Sequence, residues 1–533
     1  IRNGLVNAEL SNGEITLSQA SAQFPGGSDM ALFGFVTEKD GEPQFEGELE
    51  STVNDLRSVL GWLGHDLESV GKGRLRKLTL AARVFASPDQ LKMANINLRF
   101  DSSKLSGGVT VALRKRPSFG ASITVNKFNL DAYLPNQHKK IEKKNIVSGL
   151  GGAKERKKTS PEILKKNNPF ATLNFLNDLD ANFKIKIKSL MLNKKSIRNA
   201  IFDGTLYNGS LDIRRLSADQ LINSKLSAKG KISNFGGIPK ATAFSIAAET
   251  KDANGLLKYV GLSSVQALKG LGSIKAHGQI DGSILAPIIG LNFSASGAQV
   301  KASGQIDGLA LPPSMKDFAV QINAKETSKL LKLFGIKAIS ARQLGNVNVD
   351  CKINGNLLAP TLVVDVNAMG GSVSLNGKIN TLTKDKPLDF SLGIKHPNAA
   401  QLFWKFGGYR PAGKVGSLDI NGQLVGNLKA FTLKALTAKV DSTELRGDLD
   451  LYLDRVRPKF KASLISNKIV VDPFLPSNRK VSFWPGLQIR QVSTRKRFSN
   501  WSTDPIDFSG LDGVDAQVSL KSSAIGFKRY NLQ

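Results

Sequence analysis

Cysteine and histidine are scarce in this sequence, which has one cysteine, Cys351, and four histidines among 533 residues. A single cysteine cannot form an internal disulfide bond, and it cannot supply the paired thiolates of a cysteine-based zinc site. The histidines lie in four separate segments without the spacing of metal ligands, at His65, His138, His277 and His396. We therefore expect neither a disulfide framework nor a metal site.

Long apolar runs and catalytic motifs are missing as well. No stretch approaches the roughly 18 consecutive apolar residues of a membrane-spanning helix. No nucleophile elbow, H-E-x-x-H pair, P-loop or dinucleotide-binding glycine pattern opens a helix after a strand. The aspartates at 504, 507, 512 and 515 do not have the spacing of an EF-hand loop, and strand starts and helix caps account for them. We expect no enzymatic activity, no cofactor and no bound metal.

Acidic residues are too few to balance the basic ones: 74 lysines and arginines stand against 44 aspartates and glutamates, a net charge of +30. Such an excess points to an anionic partner. Nucleic-acid binders usually combine basic residues with aromatic stacking platforms, but aromatic residues make up only 7% of this chain. Two interpretations lead: a solvated basic face, or attraction to an anionic phospholipid or lipopolysaccharide surface. Binding of nucleic acid by the basic face is a third, weaker alternative.

Alternation of apolar and polar residues dominates the chain. In one stretch the polar residues are Lys184, Lys186 and Lys188, and in another they are Asn348, Asp350 and Lys352. The apolar positions of these stretches are Phe183, Ile185 and Ile187, and Val347, Val349 and Ile353. A period of two predicts half-buried strands with one wet face. We expect these six side chains to line an apolar surface, and Lys184, Lys186 and Lys188 to face water.

Turn and helix signals punctuate the strands. Four pairs suit tight hairpins that need a positive φ: Asp281-Gly282, Asp307-Gly308, Asn354-Gly355 and Asn421-Gly422. Short amphipathic helices are predicted around Leu60, Leu257, Leu331 and Phe403, each with Asn, Ser or Thr near its start and a glycine at its end. The closing glycines Gly261, Gly335 and Gly407 are 74 and 72 positions apart. This spacing indicates a repeat of about 70 residues.

The repeat divides the chain into four segments. Residues 1–137 form a first β-repeat block that starts in the middle of a unit, and residues 138–168 form a basic linker or loop. Residues 169–476 form a central block of units of about 70 residues, and residues 477–533 begin a truncated C-terminal region. "LDAYLP" at 130–135 and "VDPFLP" at 471–476 indicate that the whole block is duplicated. We interpret the chain as a piece of a longer protein.

The apolar faces of these strands need a cover. The predicted helices are too few to supply it, so either sheets pack on one another as a sandwich, or one sheet curls into a groove that meets an apolar ligand. A repeated, unclosed sheet favours the groove. We predict a mainly β fold, an elongated repeat sheet that forms a curled groove of amphipathic antiparallel strands with a few short helices.

The segment "WSTDPIDFSGLDGVDAQVSL" at 501–520 resembles the C-terminal signature of the AsmA family of bacterial envelope proteins, relatives of TamB. That signature has a Trp, then P-I-D, a Leu, and an acidic D-A pair that enters an alternating strand. Its elements here are Trp501, Pro505, Ile506, Asp507, Leu511, Asp515 and Ala516. The first copy keeps only Leu179, Asp180 and Ala181.

The resemblance implies a periplasmic protein that is anchored to the inner membrane through a segment absent here. It implies a bridge-like transporter whose hydrophobic groove carries phospholipids between the inner and outer membranes and supports outer-membrane homeostasis. The alternative is an envelope scaffold or assembly factor for outer-membrane proteins, which would recruit partner strands at its sheet edges.

Overall fold

The computed structural model describes residues 2–65, 67, 70–71, 73–134, 171–259, 272–295, 297–308, 312–325, 345–383, 387–402, 411, 413–427, 429–453, 459–474, 515–527 and 530–532. The chain forms two compact units, Ile1–Ile288 and Ile289–Gln533. Each unit is mainly β-sheet with a few short helices.

The strands of the first unit are β1 (Arg2–Ser11), β2 (Glu14–Phe24), β3 (Ser28–Lys39), β4 (Glu42–Val53), β5 (Leu78–Ser87), β6 (Gln90–Phe100), β7 (Ser103–Ala112), β8 (Ser118–Asn129), β9 (Asp180–Leu192), β10 (Lys195–Tyr207), β11 (Ser210–Leu221), β12 (Ser224–Ser233), β13 (Lys240–Thr250) and β14 (Ile274–Ser283). Its α-helices are α1 (Leu56–Trp62) and α2 (Ala253–Tyr259). Leu130–Ala132 and Ala171–Asn177 are 3₁₀-helices.

The strands of the second unit are β15 (Ile288–Ala295, which begins at the boundary), β16 (Ala298–Asp307), β17 (Ser314–Ala324), β18 (Val347–Asn356), β19 (Thr361–Ala368), β20 (Gly371–Ile379), β21 (Leu388–His396), β22 (Leu418–Gly426), β23 (Ala430–Val440), β24 (Thr443–Tyr452), β25 (Lys459–Val470), β26 (Asp515–Phe527) and β27 (Tyr530–Leu532). Asp472–Phe474 is a 3₁₀-helix, and residues 399–402 are helical.

Each strand pairs with the next one along the chain, from β1 to β14 in the first unit and from β16 to β27 in the second. These pairings are antiparallel except β8 with β9 and β25 with β26, which are parallel. The prediction of a mainly β, mostly antiparallel open sheet with few helices is confirmed.

The hairpin prediction for the Asp-Gly and Asn-Gly pairs is wrong, because three of these pairs lie inside strands β14, β18 and β22, and Asp307 ends β16. Two of these side chains instead hold bulges on the neighbouring strand. Asp281 Oδ1 accepts the Ala243 amide at 2.6 Å, and Asn354 Oδ1 accepts the Asp317 amide at 2.7 Å. Ala243 and Asp317 have φ of 47° and 49°, which marks them as bulge residues whose amides have no partner in the strand ladder. The side-chain oxygens of Asp281 and Asn354 accept these two amides.

The turns that follow β14, β18 and β22 are made by residues with a short polar side chain. Asn356 Oδ1 accepts the amides of Leu358 and Ala359 at 3.0 and 2.8 Å, and Asn427 Oδ1 accepts those of Lys429 and Ala430 at 2.8 and 3.0 Å. Ser283 Oγ accepts an amide in the same way. Positions 283, 356 and 427 are 73 and 71 residues apart, so this Asx or Ser turn recurs with the repeat.

Helices α1 and α2 contain Leu60 and Leu257, as predicted, whereas Leu331 and Phe403 lie outside the described residues. The capping residues differ from the predicted Asn, Ser or Thr. Asp55 precedes α1 without a side-chain cap bond, and Asp252 Oδ1 accepts the Gly255 amide of α2 at 2.9 Å.

The predicted glycine at the end of α1 is present. Gly64 has a φ of 85°, and its amide and that of His65 bond to Gly61 and Leu60 at 3.0 Å. These two hydrogen bonds form a Schellman motif, which satisfies the last carbonyls of the helix.

The two "LDA" segments secure the parallel pairing of β8 with β9. Asp180 opens β9, and its Oδ1 accepts the Nε of Arg116 at 2.7 Å and the amide of Asn208 at 3.1 Å. At the other end of β9, the Asp131 carboxylate accepts the amides of Asn193 and Lys194 at 2.6 and 2.7 Å. The aspartates therefore hold both ends of the strand whose parallel pairing with β8 interrupts the antiparallel order.

Tyr133 ties the end of the first copy to the sheet. Its ring stacks between Phe100 and Phe128, with centroids at 5.6 and 5.3 Å, and its hydroxyl donates to Asp101 Oδ2 at 2.8 Å. Partial burial and the Asp101 carboxylate raise the pKa of Tyr133 to about 12. Burial alone would raise the pKa of Asp101, but hydrogen bonds from the Arg76 amide, the Tyr133 hydroxyl and the amides of Leu75 and Lys77 outweigh it and keep that pKa below its ordinary value.

Asp101→Asn should bring the pKa of Tyr133 back toward its ordinary value of about 10, because the neutral amide no longer stabilises the protonated phenol electrostatically. In the wild type, the contribution of Tyr133 to stability is complete below that ordinary pKa and is lost as the pH rises through about 12. The contribution of Asp101 is complete above its unfolded pKa and is lost as the pH falls through its lower folded pKa. Ultraviolet difference titration, with Tyr133→Phe to assign the signal, measures the first shift. A tyrosine that titrates near its ordinary pKa and disappears in Tyr133→Phe would contradict the contact.

Candidate apolar binding face

A continuous apolar row crosses the first unit at the level of Ile185. Ile185 lies opposite Ile123 on the parallel strand β8 and opposite Phe202 on β10. From β6 to β13 the paired positions of this row are Ile96, Gly107, Ile123, Ile185, Phe202, Leu216, Ala228 and Ile246. Seven strand spacings of about 4.8 Å make the row roughly 34 Å wide.

The row is open to solvent along its course. Leu216 is 45% exposed and Ile246 is 40% exposed, although both occupy mid-strand positions on the apolar face. Ile185 and Ile187 are half-buried, and the lysines between and beside them are exposed. The amphipathic pattern thus separates the side chains as predicted, but the described residues leave the apolar side without a complete cover.

One end of the face is covered by the 3₁₀-helix Ala171–Asn177. Ala181, Leu206 and Phe235 form a buried cluster there, at 4%, 3% and 7% exposure. Leu173 and Leu176 of the helix pack against this cluster, and so does Phe183. Phe183 is therefore a packing residue at the closed end, whereas Ile185 and Ile187 lie further along β9.

The second unit presents an equivalent face around β18. Val349 and Ile353 are half-buried, and Asn348, Asp350 and Lys352 on the other side of the strand are exposed. The row through Val349 contains Ile322, Val349, Val366, Val373, Ile394 and Ile420. Val347 is buried at 7%, at the strand end, so it packs there instead of lining the open centre.

Cys351 lies on the same face as Val349 and Ile353, although it was not among the predicted lining residues. It pairs with Val320 on one side and Val364 on the other, and burial raises the pKa of its thiol. The alternation of β18 already places it beside Val349 and Ile353. Because it is the sole cysteine of the chain, a thiol-reactive probe would label this position alone.

Polar side chains buried at the strand ends are satisfied by hydrogen bonds. Ser224 Oγ donates to Thr250 Oγ1 at 2.8 Å. His396, only 4% exposed, accepts the Asn398 amide at Nδ1 (3.0 Å), which leaves Nε2 to donate to the Met369 carbonyl at 3.0 Å. Thr250 and His396 end the strands before α2 and the helical residues 399–402, so these bonds fix the rim of the sheet.

Of the seven signature positions between 501 and 516, only two fall within the described ranges. Asp515 and Ala516 open β26 and pair with Lys459 and Phe460, as Asp180 and Ala181 pair with the first residues of β8. The remaining signature positions, Trp501, Pro505, Ile506, Asp507 and Leu511, lie outside the described residues, and so does the basic segment 138–168.

Within the ranges that the structure describes, no helix is long and apolar enough to cross a membrane, and no three metal-binding side chains converge. A scan against protein-family models and searches of curated proteins and of solved structures found no match to this chain.

Proposed function

We propose that this chain is part of a periplasmic lipid transport protein, in which the apolar face forms a groove that carries phospholipids between the inner and outer membranes. The observation that carries the proposal is the open apolar row through Ile185, where residues such as Leu216 keep 45% exposure. A monomeric soluble protein rarely leaves a wide contiguous apolar surface exposed unless it binds something there.

Acyl chains suit this surface better than a compact ligand does. The row repeats from strand to strand with similar aliphatic side chains and presents no polar group to fix one orientation. Each buried methylene contributes about 0.8 kcal/mol, so a chain gains similar free energy at every register along the face. Exchange between near-equivalent positions is what transport along a groove requires.

The resemblance of residues 501–520 to the AsmA signature supports the cellular setting of the proposal. It favours an inner-membrane anchor outside this chain and a role in outer-membrane homeostasis. The function needs no catalysis and no cofactor. The scaffold alternative differs in one measurable respect, since it does not require lipid on the apolar face.

Cys351 allows a direct test. When it is labelled with the polarity-sensitive dye acrylodan, we expect a blue shift of the emission on mixing with vesicles of phosphatidylethanolamine and phosphatidylglycerol, because acyl chains would replace water around the dye. Labelling should be done at about pH 8.5, since the raised thiol pKa slows the reaction at neutral pH.

The matched control is the double variant Cys351→Ser/Lys352→Cys, which moves the dye to the exposed side of the same strand. Its emission should change little. The same shift at both positions, or no shift at 351 in a folded protein whose purified form contains no lipid by mass spectrometry, would contradict the lipid-binding face.

A further inference from the structure

The polar face of the first unit, opposite the apolar row, carries a depression of about 530 Å³. It spans β6 to β11, and its floor consists of small residues, among them Gly108 and Gly120. Two paired rows cross the floor. One contains Lys92, Thr110, Gly120 and Asn182, and the other contains Gly108, Ser122, Lys184 and Asp203.

The backbone does not require the small residue at Gly120. A Cβ atom there would lie 3.8 Å from its nearest neighbour, the Thr110 Cβ, and Gly120 has no positive φ. Glycine in a strand interior usually weakens the strand or marks a close approach by another molecule. No backbone in the described residues approaches Gly120 closely, so the open floor favours an external ligand.

The walls of the depression are cationic. Arg214 is neutralised, because it is paired with Asp203, and its Nη2 also donates to Asn182 Oδ1 at 2.9 Å. Lys92 and Lys184 lie three strand spacings apart across the sheet and two residues apart along the strands, which separates their Cα atoms by roughly 16 Å. Within the described ranges, neither lysine has a carboxylate within ion-pair distance. The Lys92 ammonium lies 5.3 Å from the Phe85 ring centroid.

Two other depressions show that this charge is not a general property of the polar faces. One in the first unit, of about 270 Å³, is lined by Asp29 and Glu50. One in the second unit, of about 650 Å³, contains Lys395 and Asp419, whose charged groups lie 3.8 Å apart. Of these three, only the depression at Gly120 combines hydroxyl and amide groups with two lysines that make no ion pair among the described residues.

We propose that this depression binds a phosphorylated, hydroxyl-bearing group, such as a sugar phosphate or a phosphorylated lipid head group. Lysines are effective point-charge partners for phosphate. Thr110, Ser122 and Asn182 offer hydroxyl and amide groups for sugar hydroxyls, and the volume lies within the range of small-ligand sites. The site is independent of lipid on the apolar face, because the two surfaces lie on opposite sides of the sheet.

Isothermal titration calorimetry of the full chain tests the site with three probes: glucose 6-phosphate, glucose as the uncharged control, and vesicles containing phosphatidylglycerol. We expect saturable binding of a phosphate-bearing probe and none of glucose. The double variant Lys92→Gln/Lys184→Gln should weaken binding by tenfold or more, since charge-assisted hydrogen bonds are lost. Lys229→Gln is the control. Lys229 is an exposed lysine of β12 that lies on the polar face of the sheet, outside the depression.

Each outcome decides the proposal. Binding of glucose 6-phosphate that depends on Lys92 and Lys184 supports a free phosphorylated ligand, and the same dependence seen only with vesicles supports a lipid head group. Equal losses from the double variant and from Lys229→Gln would show a diffuse basic surface and overturn the site. No binding of any phosphate-bearing probe to a protein with native circular dichroism would overturn it as well.

Discussion

Ile185→Asp should reduce lipid capture by the apolar face by more than tenfold, whereas Lys186→Asp should leave it close to the wild-type level. Ile185 lies at the centre of the row, between Ile123 and Phe202, and Lys186 is exposed on the other side of β9. A carboxylate on the apolar face would have to be desolvated beneath an acyl chain, which costs several kcal/mol unless it is protonated or paired. At position 186 the same carboxylate stays in water.

Photo-crosslinking separates this effect from a loss of folding. A photoreactive amino acid at 185 or at 186 adds no charge, so the sheet should form in both proteins. We expect lipid adducts at 185 and few at 186, detected by mass spectrometry after irradiation with phosphatidylethanolamine vesicles. Equal adduct yields at the two positions, or none at 185 in a folded protein, would remove the basis for the lipid-binding face.

Phe183 provides an internal comparison on the same strand. It shares the parity of Ile185 but packs against the cluster beneath the 3₁₀-helix Ala171–Asn177. A crosslinker at 183 should therefore capture less lipid than one at 185, and Phe183→Ala should lower stability more than Ile187→Ala does. The sequence alone treats the three positions alike, because alternation reports which side of a strand a residue occupies and not what covers it.

The parts of the fold that follow from local pattern were predictable. Alternation separated Ile185 from Lys186 and Val349 from Asp350, because side chains of a strand point to opposite faces whatever the rest of the chain does. The helices at Leu60 and Leu257 also followed from local spacing. The depression near Gly120 did not, since it needs residues from β6 to β11 to be brought together.

The hairpin prediction failed for a physical reason that the sequence does not display. Asp281-Gly282 and Asn354-Gly355 have turn chemistry, but their polar side chains serve bulges on the adjacent strands, at Ala243 and Asp317. A side chain that satisfies a backbone amide 37 or 38 positions away leaves no signal within a short window. The pairing register decides its role, and register is a tertiary property.

Glycines show the same limit and lead to the second large effect. Gly107 and Gly447 occupy corresponding places in the two copies, 340 positions apart. Gly107 lies on β7 and Gly447 on β24, and each of these strands pairs with the first strand of a parallel pair, β8 or β25. The two glycines have φ of 150° and 152°, and a Cβ atom at either would lie 1.9 Å from a backbone carbonyl oxygen of the next strand, that of Ser122 or Ser463. Gly107→Ala should therefore destabilise the protein by on the order of 3 kcal/mol, the sum of backbone strain and the clash with a paired strand.

Gly120→Ala is the matched control, because Gly120 lies on the neighbouring strand β8, where the added methyl group meets only ordinary van der Waals contacts. It should be neutral or stabilise by about 0.5 kcal/mol, since alanine reduces the freedom of the unfolded chain without strain. Urea denaturation followed by circular dichroism compares the midpoints of the two variants with the wild type. Because Gly107 lies in the row of Ile123 and Ile185, a destabilised variant should also lose lipid crosslinking at 185. Equal midpoints for Gly107→Ala and Gly120→Ala would mean that β7 and β8 do not approach as closely as their register requires, and the apolar row built on that register would have to be abandoned.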